Sequence, residues 1–102
     1  MSYLDDLYTI NRLSEIEVEV FLSDENHPIF KAHFPNNPIL PGFIHLEIIS
    51  DIFNVNIIGV QKAKFNELVL PSQNLFYFKS ANKITVKRDE KIIASFSLKL
   101  FL

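Results

Sequence analysis

The segment His33-Phe34-Pro35-Asn36-Asn37-Pro38-Ile39-Leu40-Pro41-Gly42-Phe43-Ile44-His45-Leu46-Glu47 sets a rigid loop directly before the start of an apolar helix. Proline fixes φ at about −65° and removes a backbone donor, so Pro35, Pro38 and Pro41, spaced by three, hold the loop extended and preorganised. Pro41 suits the first turn of a helix, and Gly42 lets another group approach the backbone. The first N–H groups of a helix have no internal acceptor and carry the positive end of its dipole. A helix opening with Pro-Gly is therefore a candidate oxyanion site, and Glu47 falls in its second turn.

Working outward, the helix is expected from Gly42 to about Phe53, ended by Asn54-Val55-Asn56. Phe43, Ile44, Leu46, Ile48, Ile49, Ile52 and Phe53 occupy most sides of its wheel, which predicts a helix buried all round. Upstream, Ile16, Val18, Val20 and Leu22 alternate with Glu17 and Glu19, the period of a strand over 16–22 with one solvated face. A turn-rich loop from Ser23 to Pro28 follows, leading through Ile29–Ala32 into the proline segment. Downstream the pattern reads as strands at about 57–69, 74–80, 82–88 and 91–101, the last two joined by a hairpin through Asp89-Glu90. In the last strand Ile92, Ala94, Phe96, Leu98 and Leu100 should share one face. One helix with several antiparallel strands implies an α+β layer structure, a curved sheet wrapped around a central helix. Pairing of exposed sheet edges makes a homodimer the expected assembly.

The chain has 102 residues, 48% hydrophobic, enough for one domain over 1–102. Its formal net charge is −2 and its basic residues are scattered, which gives no stripe for nucleic acid. The absence of cysteine excludes disulfides, a thiolate nucleophile and Cys-ligated metal. No apolar run reaches the length of a membrane span, and the N-terminal residues lack a signal-peptide pattern, so the expected location is the cytoplasm. Lys79, Lys83, Lys87, Arg88 and Lys91 read as a solvated strand face. His27 and His45 read as structural histidines, whereas His33 stands out by its setting in the proline loop. A carboxylate such as Glu47 inside an apolar helix is costly unless paired, so it either sits at a mouth near water or, as the surrounding Phe and Ile residues favour, is held in a pocket with a raised pKa and can donate a proton.

The whole spaced pattern resembles that of the 3-hydroxyacyl-acyl carrier protein dehydratases of the hot-dog fold. Their signature is His-Phe-Pro, two variable residues, Pro, two more, Pro-Gly, and then an acid fourteen residues after the histidine, here Glu47. Ala63-Lys64-Phe65 and Val69-Leu70-Pro71 resemble a second, downstream part of the family pattern. This chain departs from it at Ala32, Asn36, Ser72 and Gln73, and its length resembles that of compact accessory members.

The resemblance implies dehydration of a (3R)-hydroxyacyl thioester to a trans-2-enoyl thioester. His33 would be the base, Gly42 the polarising amide and Glu47 the acid, with Phe34, Pro41 and Phe43 lining the substrate. It further implies that His33 and Glu47 of one site come from opposite protomers, in a homodimer or an oligomer of dimers. No metal and no cofactor of its own is implied; the substrate rides on the phosphopantetheine of an acyl carrier protein. A few of the lysines near a tunnel mouth would steer that acidic partner. Two alternatives remain, a thioesterase on the same fold and a non-catalytic acyl-carrier-binding module.

Overall fold

Residues 4–32 and 36–101 are described by a computed structural model of the chain. Six antiparallel strands form one sheet in the order β1-β2-β4-β5-β6-β3, with β1 Tyr8–Arg12, β2 Glu17–Leu22, β3 Asn56–Phe65, β4 Asn74–Ser80, β5 Lys83–Arg88 and β6 Lys91–Phe101. Two helices lie between β2 and β3, a short α1 at Pro28–Ala32 and the longer α2 at Gly42–Phe53. The period-2 pattern is realised within β2, where Val18, Val20 and Leu22 are buried, but Ile16, expected on the same face, lies before the strand and is 47% exposed.

Register aligns the core into rows that cross the sheet. Val18 pairs with Tyr77, Tyr77 with Val86, Val86 with Ala94 and Ala94 with Phe65. Partners directly opposite in a ladder project to the same face, so this row lies on the inner side, against α2. Ile44, Ile48, Ile49 and Ile52 of α2 join the same buried cluster.

α2 is not buried all round, which corrects the sequence expectation. Phe43, Glu47 and Asp51, at i, i+4 and i+8, form an exposed stripe, while the opposite flank fills the sheet. The seven apolar residues read as encircling the helix include Phe43, which is 53% exposed. The helix ends as expected, with Asn54 in the left-handed conformation at φ 51°. Asn tolerates that region because its short amide bonds locally.

Three further elements differ from the pattern. β1 went unseen in the sequence; it pairs with β2 through a turn in which the Ser14 hydroxyl accepts from the Ile16 and Glu17 N–H groups. α1 emerges where a loop was expected: Pro28 takes its first position, and the His27 ring accepts the Ile29 N–H at Nδ1 (3.0 Å) while Nε2–H donates to the Asp5 carbonyl (2.8 Å). β3 ends at Phe65 rather than near 69. The all-on-one-face reading of β6 fails at Ile92. Register passes from Val86↔Ala94 to Lys87↔Ile92, so Ile93 is an extra, buried residue and Ile92 is turned outward, 45% exposed. Ile58 and Gln61 are similar extra residues in β3, opposite β6.

The Asp89-Glu90 hairpin is present, with φ of 52° and 67°, the twist-matched two-residue turn. Ser72 also sits at φ 65°. A non-glycine residue there carries strain of about 1–2 kcal/mol, partly offset by the lower entropy of its unfolded state. Ser72→Gly keeps the Ser72 N–H bond to the Ser23 carbonyl and is expected to stabilise the fold by about 0.5–1 kcal/mol. A rise in urea midpoint at unchanged m would show it; an unchanged or lower midpoint would contradict it.

Candidate active site

The site is built around the N-terminus of α2. Pro41 precedes it in an extended conformation (φ −60°, ψ 141°), and no side chain caps the helix start. The Ile44 N–H reaches back to the Pro41 carbonyl at 3.0 Å, whereas the Gly42 N–H, at the first helical position, has no acceptor within the helix. Glycine is needed at 42 for space rather than for φ. A Cβ there would lie 2.9 Å from Cζ of Phe65, so the chain's own aromatic ring takes up the close approach that the sequence suggested for another molecule.

A groove of about 450 Å³ opens beside this contact, with walls that include Leu40, Pro41, Gly42, Phe43, Phe65 and Leu68. Its lower edge is the loop 66–73, which is firmly tied. The Leu40 N–H donates to the Val69 carbonyl (2.8 Å), and Arg88 donates to the Leu68 carbonyl (2.9 Å), to Gln73 Oε1 (2.8 Å) and to Glu67 Oε1 (2.9 Å). Lys91 also pairs with Glu67. The bond from Lys91, with help from Arg88, holds the Glu67 carboxyl below the usual range. Arg88 and Lys91 are thus a clamp on this loop and not merely a solvated face, which corrects that part of the lysine reading. Gln73 Oε1 also accepts from the Leu70 N–H (2.9 Å), so the glutamine is the residue that closes this turn.

His45 is the polar surprise. It is only 2% exposed, its Nδ1 lies 2.6 Å from the Tyr77 hydroxyl, and the rings of Phe65 and Phe96 stand at 6.1 and 5.8 Å. Tyr77 enters through the inner row of the sheet, and its own pKa is pushed up by burial. His45 also borders the groove. The structural reading of this histidine holds for its buried side, but its place at the groove was not foreseen. The signal was a polar residue beside Ile44 on the flank that Ile48, Ile49 and Ile52 bury.

Glu47 lies elsewhere. It is exposed and lines an open depression of about 530 Å³ with Asp5, Tyr8, Ser50, Asp51 and Asn54. The Tyr8 hydroxyl bonds Asp51 there, and burial together with that carboxylate raises the tyrosine's pKa. Within one chain Glu47 is therefore not enclosed by apolar residues, contrary to the sequence expectation, because its helix turns that stripe away from the sheet. Five residues separate it from Gly42, about 140° around the helix axis, and among the described residues the two line different cavities. Pro41 and Phe43 do flank the groove with Gly42. His33 and Phe34 lie outside the described residues.

Burial pushes the His45 pKa from 6.5 down to about 4. Between those values the unfolded chain binds a proton that the folded chain refuses, so this contribution to stability is full above pH 6.5 and is lost as pH falls towards 4. The loss is on the order of 3 kcal/mol. His45→Gln is expected to flatten the stability profile between pH 7 and 5; parallel urea-unfolding profiles for the two proteins would contradict this.

Comparison with known proteins gives a consistent picture. The ApeI-like dehydratase family model, described as ApeI dehydratase, matches residues 10–98. A 3-hydroxyacyl-[acyl-carrier-protein] dehydratase FabZ of Chlamydia pneumoniae is 37% identical over 85 residues, covering 69% of this chain and 50% of that protein. The enzyme of the same name from Caldanaerobacter subterraneus is 26% identical over 93 residues, covering 74% and 66%. The chain thus spans about half to two thirds of the length of these relatives. Among solved structures, the dehydratase heterocomplex ApeI:P from Xenorhabdus doucetiae superposes with a TM-score of 0.67 at 18% identity, over 92% of this chain and 95% of that one. That likeness establishes the hot-dog fold, an antiparallel sheet with its helix. With the family match running across β1 to β6, the chain belongs to the ApeI-like dehydratase family.

Proposed function

We propose that this chain is a 3-hydroxyacyl-acyl carrier protein dehydratase, a hydro-lyase acting as a homodimer in the cytoplasm. The observation that carries the proposal is the helix start at Gly42, an N–H without an intrahelical acceptor at the mouth of an apolar groove. A thioester carbonyl placed there gains a donor and the positive end of the α2 dipole as enolate charge develops. Neutral His33 takes the C2 proton. Glu47 of the partner subunit, protonated, gives its proton to the departing C3 hydroxyl, so that water leaves and a trans-2-enoyl thioester remains. The family to which the chain belongs, and relatives whose names specify 3-hydroxyacyl-acyl carrier protein substrates, support this reaction.

Homodimer formation is supported by the disposition of the helix. Gly42 and Glu47 face directions about 140° apart, so a second copy must supply the acid. The exposed residues Phe43, Val60 and Phe65, together with Ile58 on edge strand β3, offer an apolar surface for that copy. The phosphopantetheine arm then reaches the groove past Pro41 and Phe43, with Phe34 as a further substrate contact, and the protein needs no metal or cofactor of its own. No helix among the described residues is long and apolar enough to cross a membrane.

With a 3-hydroxyacyl thioester followed by enoyl absorbance, His33→Ala and Glu47→Gln should each reduce the rate on the order of 10²–10⁴-fold. Equal rates in all three proteins would refute dehydration by these groups, and release of free thiol instead would indicate a thioesterase. Mixing the two inactive variants after unfolding and refolding tests the shared site. Half of the dimers are then mixed, each with one intact site, so about a quarter of native activity should return. No recovery would place both groups in a single chain.

A further inference from the structure

The segment that delivers Gly42 is held by few polar ties. Among the described residues, the bond from the Leu40 N–H to the Val69 carbonyl, at 2.8 Å, is the one hydrogen bond that joins residues 36–41 to another strand or loop. No side chain caps the start of α2. Pro41 locks its own φ and restricts the residue before it, so few soft torsions separate the Leu40 N–H from the Gly42 N–H. Whatever orients the Val69 carbonyl therefore orients the donor at the helix start.

The Val69 carbonyl and the Leu70 N–H belong to one planar peptide unit. Gln73 Oε1 accepts that N–H at 2.9 Å, so the plane is held at both ends. Gln73 is in turn fixed by Arg88, whose Nη1 donates to the same Oε1 at 2.8 Å and to the Leu68 carbonyl, in the preceding peptide unit, at 2.9 Å. Nη2 of Arg88 donates to Glu67 Oε1 at 2.9 Å, and Lys91 pairs with the same carboxylate. One planar guanidinium thus spans three acceptors across the loop, a geometry that a lysine ammonium does not reproduce. The Arg88 side chain is only 18% exposed, so water weakens these bonds less than it would on an open surface.

We propose that Arg88 is a positioning residue for the dehydratase site: through Gln73 and the 69–70 peptide it aims the Gly42 N–H at the thioester oxygen. This role rests on the dehydratase reading and adds to that site a residue that itself touches no substrate. A donor that stabilises developing charge acts only from the right place, and a displacement of about 1 Å costs on the order of 10²-fold. The Gly42 contact strengthens as enolate charge develops, so loosening the relay lowers kcat and leaves KM little changed. Arg88 and Gln73 act in series, so their losses do not multiply.

Kinetics with a 3-hydroxyacyl thioester and amide exchange followed by NMR, both on the intact protein, test the relay. Arg88→Met and Gln73→Leu should each lower kcat about tenfold to a hundredfold, and the double variant should fall no further than the worse single one. Gln73→Glu, which keeps an acceptor for both Leu70 and Arg88, should retain most of the native rate. Arg88→Lys keeps a charge beside Glu67 but lacks the fork; it should lose nearly as much as Arg88→Met, and replaces it if that variant does not fold. In either variant at 88 the Leu40 N–H should exchange on the order of tenfold faster relative to the Ile48 and Ile49 N–H groups, which report opening of the whole fold. A purely structural role would speed all three alike. Unchanged kcat, losses that multiply in the double variant, or Leu40 exchange in step with Ile48 and Ile49 would each overturn the proposal. If the folded native protein dehydrates no such thioester while Leu40 exchange responds as expected, the dehydratase reading fails and the relay stands.

Discussion

Four isoleucines of α2, Ile44, Ile48, Ile49 and Ile52, sit against the inner face of the sheet, and the rotation of the helix about its axis follows from their burial. Fully burying such a side chain contributes about 1.5–3 kcal/mol. Turning the helix to enclose Glu47 would expose two or more of them and bury a carboxylate in exchange, a large loss on both counts. The directions of Gly42, His45 and Glu47 are therefore set by residues that do no chemistry. The sheet adds the second constraint, since its register delivers Tyr77 and Phe65 to the same inner row and so places a hydroxyl and an aromatic ring beside His45.

Much of this was legible from local pattern. The alternation of β2, the breaker-free helix with Asn54 at its end, and the Asp89-Glu90 turn each carry their signal within a few residues. The failures share a cause, in that they depend on partners far away in sequence. Ile92 fits the alternation of β6 and yet faces outward, because the extra residue Ile93 is a matter of how β6 pairs with β5. β1 has too little contrast between its faces to announce itself and is a strand because β2 offers it an edge. Arg88 looked like one more surface cation, and only the folded hairpin shows it beneath the loop that carries Leu68 and Gln73.

For the candidate site, the motif predicted the helix start that the structure has at Gly42 but misjudged what surrounds it. Gly42 was read as leaving room for a ligand, and Phe65, twenty-three residues later in the sequence, fills that room with its ring. The ring is half-exposed, one edge of it forming a wall of the groove. Gln73 illustrates the same point from the opposite side. The residue departs from the pattern that the sequence resembles, yet its carbonyl oxygen meets both the Leu70 N–H and Arg88, and so closes the turn under the groove.

The separation of Gly42 from Glu47 has a physical logic that bears on how such a site is assembled. An acid that must hold a proton needs to be shielded from water, and an amide that must stabilise an enolate needs low dielectric around it. A single small domain that kept both on one face of α2 would have to bury a carboxylate in its own core during folding, with no partner there among the isoleucines. Placing Glu47 on the exposed stripe lets each chain fold with that group in water. In the proposed dimer, desolvation would be deferred to the meeting of two copies, where the exposed Phe43, Val60 and Phe65 would supply apolar area to offset it. In the proposed dimer the fold of one chain would set the oxyanion end of the site and association would complete the acid end, whereas His45 at the groove is buried within the single chain.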